Sequence, residues 1–153
     1  MRNLLLSLSL ASALGGFAQT DADLIELMRS DLRTTRQALV TANMNLSEEQ
    51  SKVFWPLYDA YNVELKKVWD ERIEIIKDYA AKVNTMDEAT AMSLLNRALA
   101  NDKEKVALRA TWSKKMMKTL PASVVARFMQ IDSQLDHLIS AQLSDEIPLM
   151  PAK

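Results

Sequence analysis

Three arginines, Arg29, Arg33 and Arg36, stand at i, i+4 and i+7, a spacing that places three cations on one face of a helix. Such a strip would draw acidic segments of unfolded proteins or anionic head groups, with Glu26 and Asp31 near enough to offset part of its charge; a plain solvated face is the alternative. Beyond it the chain offers little reactive chemistry. His137 is the single histidine and there is no cysteine. A zinc site takes three or four protein ligands, so no donor set exists here and His137 reads as a surface residue. The nine methionines are dispersed and suit packing between helices better than soft-metal binding. Carboxylates are plentiful, but no Gly-rich phosphate loop, nucleophile elbow or His-containing pair accompanies them, so neither catalysis nor a cofactor is expected. Glu48 and Glu49 read as acids of a first helical turn. Phe54, Trp55, Tyr58, Tyr61 and Trp69 read as core, with Trp55, one position off the seam, left for a client or partner.

Helices must position these residues. Two Gly and four Pro in 153 residues, with abundant Ala, Leu, Met, Glu and Lys, point to an all-α fold. The expected architecture is an elongated bundle of about four helices built on a long antiparallel helical hairpin. Helix one starts near Asp21 and carries Leu24, Leu27, Met28, Leu32, Leu39 and Val40 on its apolar stripe to about Ala42. Helix two begins after Leu46-Ser47, with Ser47 as cap and Gln50 as its reciprocal partner. It runs from Glu48 to about Lys82, because Phe54, Tyr58, Tyr61, Leu65, Val68, Ile75 or Ile76, Tyr79 and Val83 alternate steps of three and four. Arg72 falls on that seam, as a rim residue or the partner of an acid across it. Pro56 removes a backbone bond well inside the helix, which predicts a kink or a break between Lys52 and Pro56.

Thr85-Met86-Asp87-Glu88 fits a second capping box, Thr85 as the cap and Glu88 as its partner. Helix three follows, with Met92, Leu95, Leu99, Val106, Trp112 and Met116 on its inward side and a charged middle from Asn101 to Lys105. The short connection from Val83 to Thr85 forces an antiparallel hairpin. Leu120-Pro121 ends helix three, and Pro121 suits a first helical position. Helix four then runs to about Leu143, its inward stripe made of Val124, Val125, Phe128, Ile131, Leu135, Leu138, Ile139 and Gln142. The apolar tail from Ile147 to Pro151 is expected to fold back or to meet a second subunit. A helix of about 35 residues spans about 50 Å, longer than a compact domain of this size requires, which points to a homodimer or an exposed binding surface.

The chain opens like an export signal. Met1-Arg2-Asn3 gives a positive start, Leu4 to Leu14 an apolar stretch, and Gly16-Phe17-Ala18 a small-residue cleavage site after Ala18. The apolar stretch is short for a membrane span of roughly 20 residues, and no transmembrane span is expected in the rest. The domain plan is a signal peptide at 1–18, one helical domain at 19–147 and a tail at 148–153. Cleavage removes Arg2, one of 19 basic residues set against 20 acidic ones. That balance gives no footprint for nucleic acid.

Leu46-Ser47-Glu48-Glu49-Gln50 resembles the Leu-Thr-x-x-Gln motif of the Spy/CpxP family of periplasmic helical proteins, with Ser47 in place of the Thr. The family's second copy of the motif would fall at Leu120-Pro121-Ala122-Ser123-Val124, where Leu120 matches. Phe54-Trp55-Pro56-x-Tyr58-x-x-Tyr61, with Leu120-Pro121-Ala122 and Ala126-Arg127-Phe128 far downstream, is similar to a distant branch of small exported proteins. The resemblance implies a periplasmic all-α protein acting as an ATP-independent chaperone for unfolded or partly folded envelope proteins. It also admits a signalling accessory bound to the sensor domain of an envelope histidine kinase, and a purely structural helical module is the third reading. Arg29, Arg33, Arg36 and Trp55 are the expected partner-binding residues.

Overall fold

The computed structural model of the protein describes residues 34–150; the export signal, Arg29 and Arg33 lie outside the described residues, as does the side chain of Gln142. Among the described residues four helices follow one another: α1, helical over residues 34–44; α2, Glu48–Lys82; α3, Glu88–Met116; and α4, Ala122–Glu146. A 3-10 turn, Val83–Thr85, joins α2 to α3. Among the described residues there is no strand, and the fold is an all-α bundle. No helix among them is long and apolar enough to cross a membrane. The chain divides into two compact units, Met1–Leu39 and Val40–Lys153, and the packing below is that of the second.

Local signals set most of the helix ends. Asn45 adopts φ 51°, a left-handed conformation that Asn tolerates better than most residues, and this turns the chain out of α1. Ser47 then caps α2. Its Oγ accepts from the Gln50 N–H at 3.2 Å while Gln50 Oε1 accepts from the Ser47 N–H at 3.1 Å, so the capping box is complete. The helix runs through Pro56 without a break. Pro56 and Lys52 are both exposed, so water can serve the Lys52 carbonyl that proline leaves without a donor.

The second capping box does not form. Asp87, with extended backbone at φ −98° and ψ 167°, is the cap of α3, and its Oδ1 accepts from the Thr90 N–H at 2.7 Å. Thr85 is still inside the 3-10 turn, where its hydroxyl reaches only the Lys82 carbonyl at 3.5 Å, and Glu88 is the exposed first residue of α3. A cap needs extended backbone just before the helix, and Asp87 is the residue that has it. At the far end, the Met117 to Leu120 turn satisfies the Ser113, Lys115 and Met116 carbonyls. Pro121 sits at the cap position with ψ 141°, one residue before the helical start at Ala122.

The core is one cluster: Val40 and Met44 of α1, Phe54, Tyr58, Tyr61 and Leu65 of α2, Trp112 and Met116 of α3, Leu120, and Val125, Phe128 and Leu135 of α4. The seam read from α2 is the seam observed, since its buried residues are Phe54, Tyr58, Tyr61, Leu65, Val68 and Ile75. Phe128 meets Phe54, Tyr58 and Tyr61 edge-on with centroids 5.3, 5.8 and 5.6 Å apart. Such pairs add about 0.5–1.5 kcal/mol each beyond the area they bury. Leu46 packs on the same cluster. Arg127 Nε donates to the Asn43 carbonyl at 2.6 Å, so α4 caps the last turn of α1. Beyond α4, the Tyr79 hydroxyl donates to the Pro148 carbonyl at 2.8 Å, which ties the start of the tail to α2.

Candidate functional site

Trp112 and Met116, at the end of α3, are buried as its sequence suggests, but from Met92 to Val106 the helix turns a different face inward. Arg97, Asn101, Lys105 and Arg109 recur every four residues and all face α2 or α4. Arg97 pairs with Glu71 at 2.9 Å and also with Asp78. Asn101 is buried and its Nδ2 donates to the Val68 carbonyl at 2.8 Å. Lys105 Nζ lies 3.0 Å from Asp136 and 5.3 Å above the Trp69 ring. Arg109 Nε is 3.2 Å from Asp132 Oδ2, and its Nη2 donates to the Met129 carbonyl at 2.8 Å. One turn on, Trp112 Nε1 donates to Glu64 Oε2 at 3.0 Å. The partner numbers on α2 and α4 fall as those on α3 rise, so α3 runs antiparallel to both.

Burying polar groups is costly unless each finds a partner, and here carboxylates of α2 and α4, with the Val68 and Met129 carbonyls, supply them. Asp132 is 2% exposed and accepts from the Tyr61 hydroxyl at 2.9 Å as well as pairing with Arg109, so one carboxylate joins three helices. At the hairpin end, the hydrogen bond from Arg97 holds the Asp78 carboxyl below its usual range, and the same bonds to Asp78 and Glu71 raise the Arg97 guanidinium. These pairs belong to the architecture. Among the described residues no group of three or more His, Cys, Asp or Glu is placed to hold a metal ion, and His137 is exposed.

With the polar ladder inside, the apolar stripe of α3 faces out. Met92, Leu95, Leu99 and Val106, expected to be core, are 58, 54, 59 and 66% exposed. Their spacing of three, four and seven keeps them on one face. Leu138 of α4, also expected on the inward stripe, is likewise exposed, while Asp132 and Asp136 are buried. The α3 stripe continues into an open groove of about 520 Å³ between α3 and α4. Val106, Ala110 and Met117 form one wall, and Ala122, Ala126 and Met129 the other. Charge is uneven along the helix: between Lys103 and Lys118 there are six cations and a single acid, Glu104.

Of the residues chosen from sequence as partner contacts, Arg36 and Trp55 fall within the described residues. Arg29 and Arg33 lie outside the described residues, and Arg36 is buried, so it is not part of a solvent-facing basic strip. Trp55 is half-buried, its ring edge-on to Phe54 at 5.1 Å and to Tyr58 at 5.3 Å, and it packs on the core more than it faces solvent. Arg72 is half-buried and lines a cavity of about 40 Å³ with Asn101 and Lys105, room for water rather than for a ligand. An exposed binding surface was among the expectations; its place on the stripe of α3 and in the groove is what sequence reasoning missed. A signal was present: two aspartates four apart, Asp132 and Asp136, on the inward side of α4, opposite a four-residue repeat of polar residues on α3. Comparison of the chain with protein-family models, curated proteins and solved structures gives no match.

Proposed function

We propose that this is an exported, Spy/CpxP-like helical protein that binds exposed apolar segments of unfolded or partly folded envelope proteins, with no nucleotide or metal. The observation that carries the reading is the α3 surface, where Met92, Leu95, Leu99 and Val106 are each more than half exposed on one helix face and lead into an apolar groove. A row of exposed apolar side chains on a bundle whose core is already filled marks an interaction site rather than a packing deficit. Methionine suits such a surface, since its flexible, polarisable side chain adapts to differently shaped ligands, and Met92, Met117 and Met129 all lie along it. The motif at Leu46 to Gln50 and the export-like N-terminus support a periplasmic setting. The test is aggregation of several unrelated clients with and without a few-fold molar excess of the protein starting at Gln19. Slower aggregation without ATP is expected, and unchanged kinetics for every client would sink the reading. A pull-down from envelope extract that returned one folded partner in fixed stoichiometry would move the assignment to a signalling accessory.

A further inference from the structure

We propose that the groove between α3 and α4 takes an amphipathic segment of a protein partner whose apolar side chains are flanked by acidic residues. This rests on the reading of the protein as a binder of apolar segments and specifies which segments it prefers. The lining is mostly apolar, with Arg109 and Ser113 its polar members, and its walls carry small side chains. Ala110 on one wall and Ala122 and Ala126 on the other leave the space between the helices open, so side chains of a partner segment can enter between Met117 and Met129. The rim is cationic. Lys103 and Lys114, seven residues before and four after Ala110, lie on the same side of α3 as the groove. Both are exposed and, among the described residues, neither makes an ion pair, whereas Lys105 and Arg109 are engaged by Asp136 and Asp132. Lys118 adds a third exposed cation past the end of α3. The facing wall offers nothing to cancel them: from Ala122 to Ile131, α4 carries Arg127 and no carboxylate, and Asp132, the next acid, is buried. Asp102, exposed four residues before Val106, is the one acid on this side of α3 near the groove, and Lys103, Lys114, Lys118 and Arg127 outnumber it, so a ligand entering here meets a net positive rim. Acidic flanks are attracted to it and basic ones are repelled.

Two labelled peptides test this, identical at their helically spaced Leu and Phe positions and carrying Glu or Lys at the flanks. By fluorescence anisotropy the protein should bind the Glu peptide about tenfold or more tightly than the Lys peptide, a preference that shrinks as salt rises. The Lys103→Glu/Lys114→Glu variant, changed only at exposed positions, should weaken the Glu peptide by about tenfold. Ala110→Trp/Ala126→Trp, which fills the groove, should abolish binding of both peptides. Equal affinity for the two peptides in the unmodified protein, or undiminished Glu-peptide binding by the charge-reversed protein, would overturn the proposal. Protein that sediments with phosphatidylglycerol vesicles while leaving both peptides unbound would overturn it in favour of a membrane surface. Aggregation suppression, measured in parallel, separates the two levels: no suppression removes the underlying reading, and suppression without peptide preference removes only the groove assignment.

Discussion

Asp132 shows how much one side chain decides in this bundle. It is almost wholly enclosed, takes a hydrogen bond from Tyr61 on α2 and an ion pair from Arg109 on α3, and so fixes the relative register of three helices. Removing the cation leaves a buried charge poorly compensated, so Arg109→Met should cost about 3–5 kcal/mol of unfolding free energy in urea titration. Tyr61→Phe leaves Arg109 in place and should cost only about 1–2 kcal/mol. Asp78 illustrates the same chemistry at a wetter site. Its carboxyl is held below its ordinary value of 3.8 by the hydrogen bond from Arg97. A depressed folded-state value means that this contribution is fully present above about pH 4 and is lost as pH falls through the lowered value. Arg97 stays charged throughout that window. Asp78→Asn should therefore flatten the acid limb of the stability profile below about pH 4, and an unchanged acid limb would show that other carboxylates dominate it.

At the scale of the element, helix ends follow the backbone more closely than motif templates. Ser47 and Gln50 satisfy the capping-box pattern and the box is present, while Thr85 and Glu88 satisfy the same pattern and it is absent. The difference is the 3-10 turn. It leaves Thr85 coiled and makes Asp87 the first residue with cap geometry. Ser47→Ala and Asp87→Ala should each cost about 1 kcal/mol, whereas Thr85→Ala should stay within about 0.5 kcal/mol; thermal melts of the three variants make the comparison. α2 was legible almost residue by residue because its apolar positions, its cap and its length all agree. α3 was not, because both of its faces are plausible interiors: one apolar, the other a polar repeat that needs partners located elsewhere in the chain.

For the molecule as a whole, the reversal of α3 is what converts a filled bundle into a candidate binding protein. If the outward stripe is a functional surface, Leu99→Ala and Val106→Ala should change stability by no more than about 0.5 kcal/mol and reduce suppression of client aggregation. Leu65→Ala, in the core, should cost about 2–5 kcal/mol. A large stability loss at Leu99 would place that side chain in a packed interface instead. The sequence by itself determined the class, the ends of α2, the hairpin and the aromatic centre, because caps, turn residues and helical periodicity act through neighbours a few positions apart. Only the tertiary structure decided which side of α3 is inside. Asn101 is buried, and Arg97, Lys105 and Arg109 half-buried, where the Val68 carbonyl, Glu71, Asp78, Asp136 and Asp132 meet them, and those partners lie 19 to 33 residues away in the chain. Once that polar ladder is satisfied inside, Met92, Leu95, Leu99 and Val106 have nowhere to go but the surface.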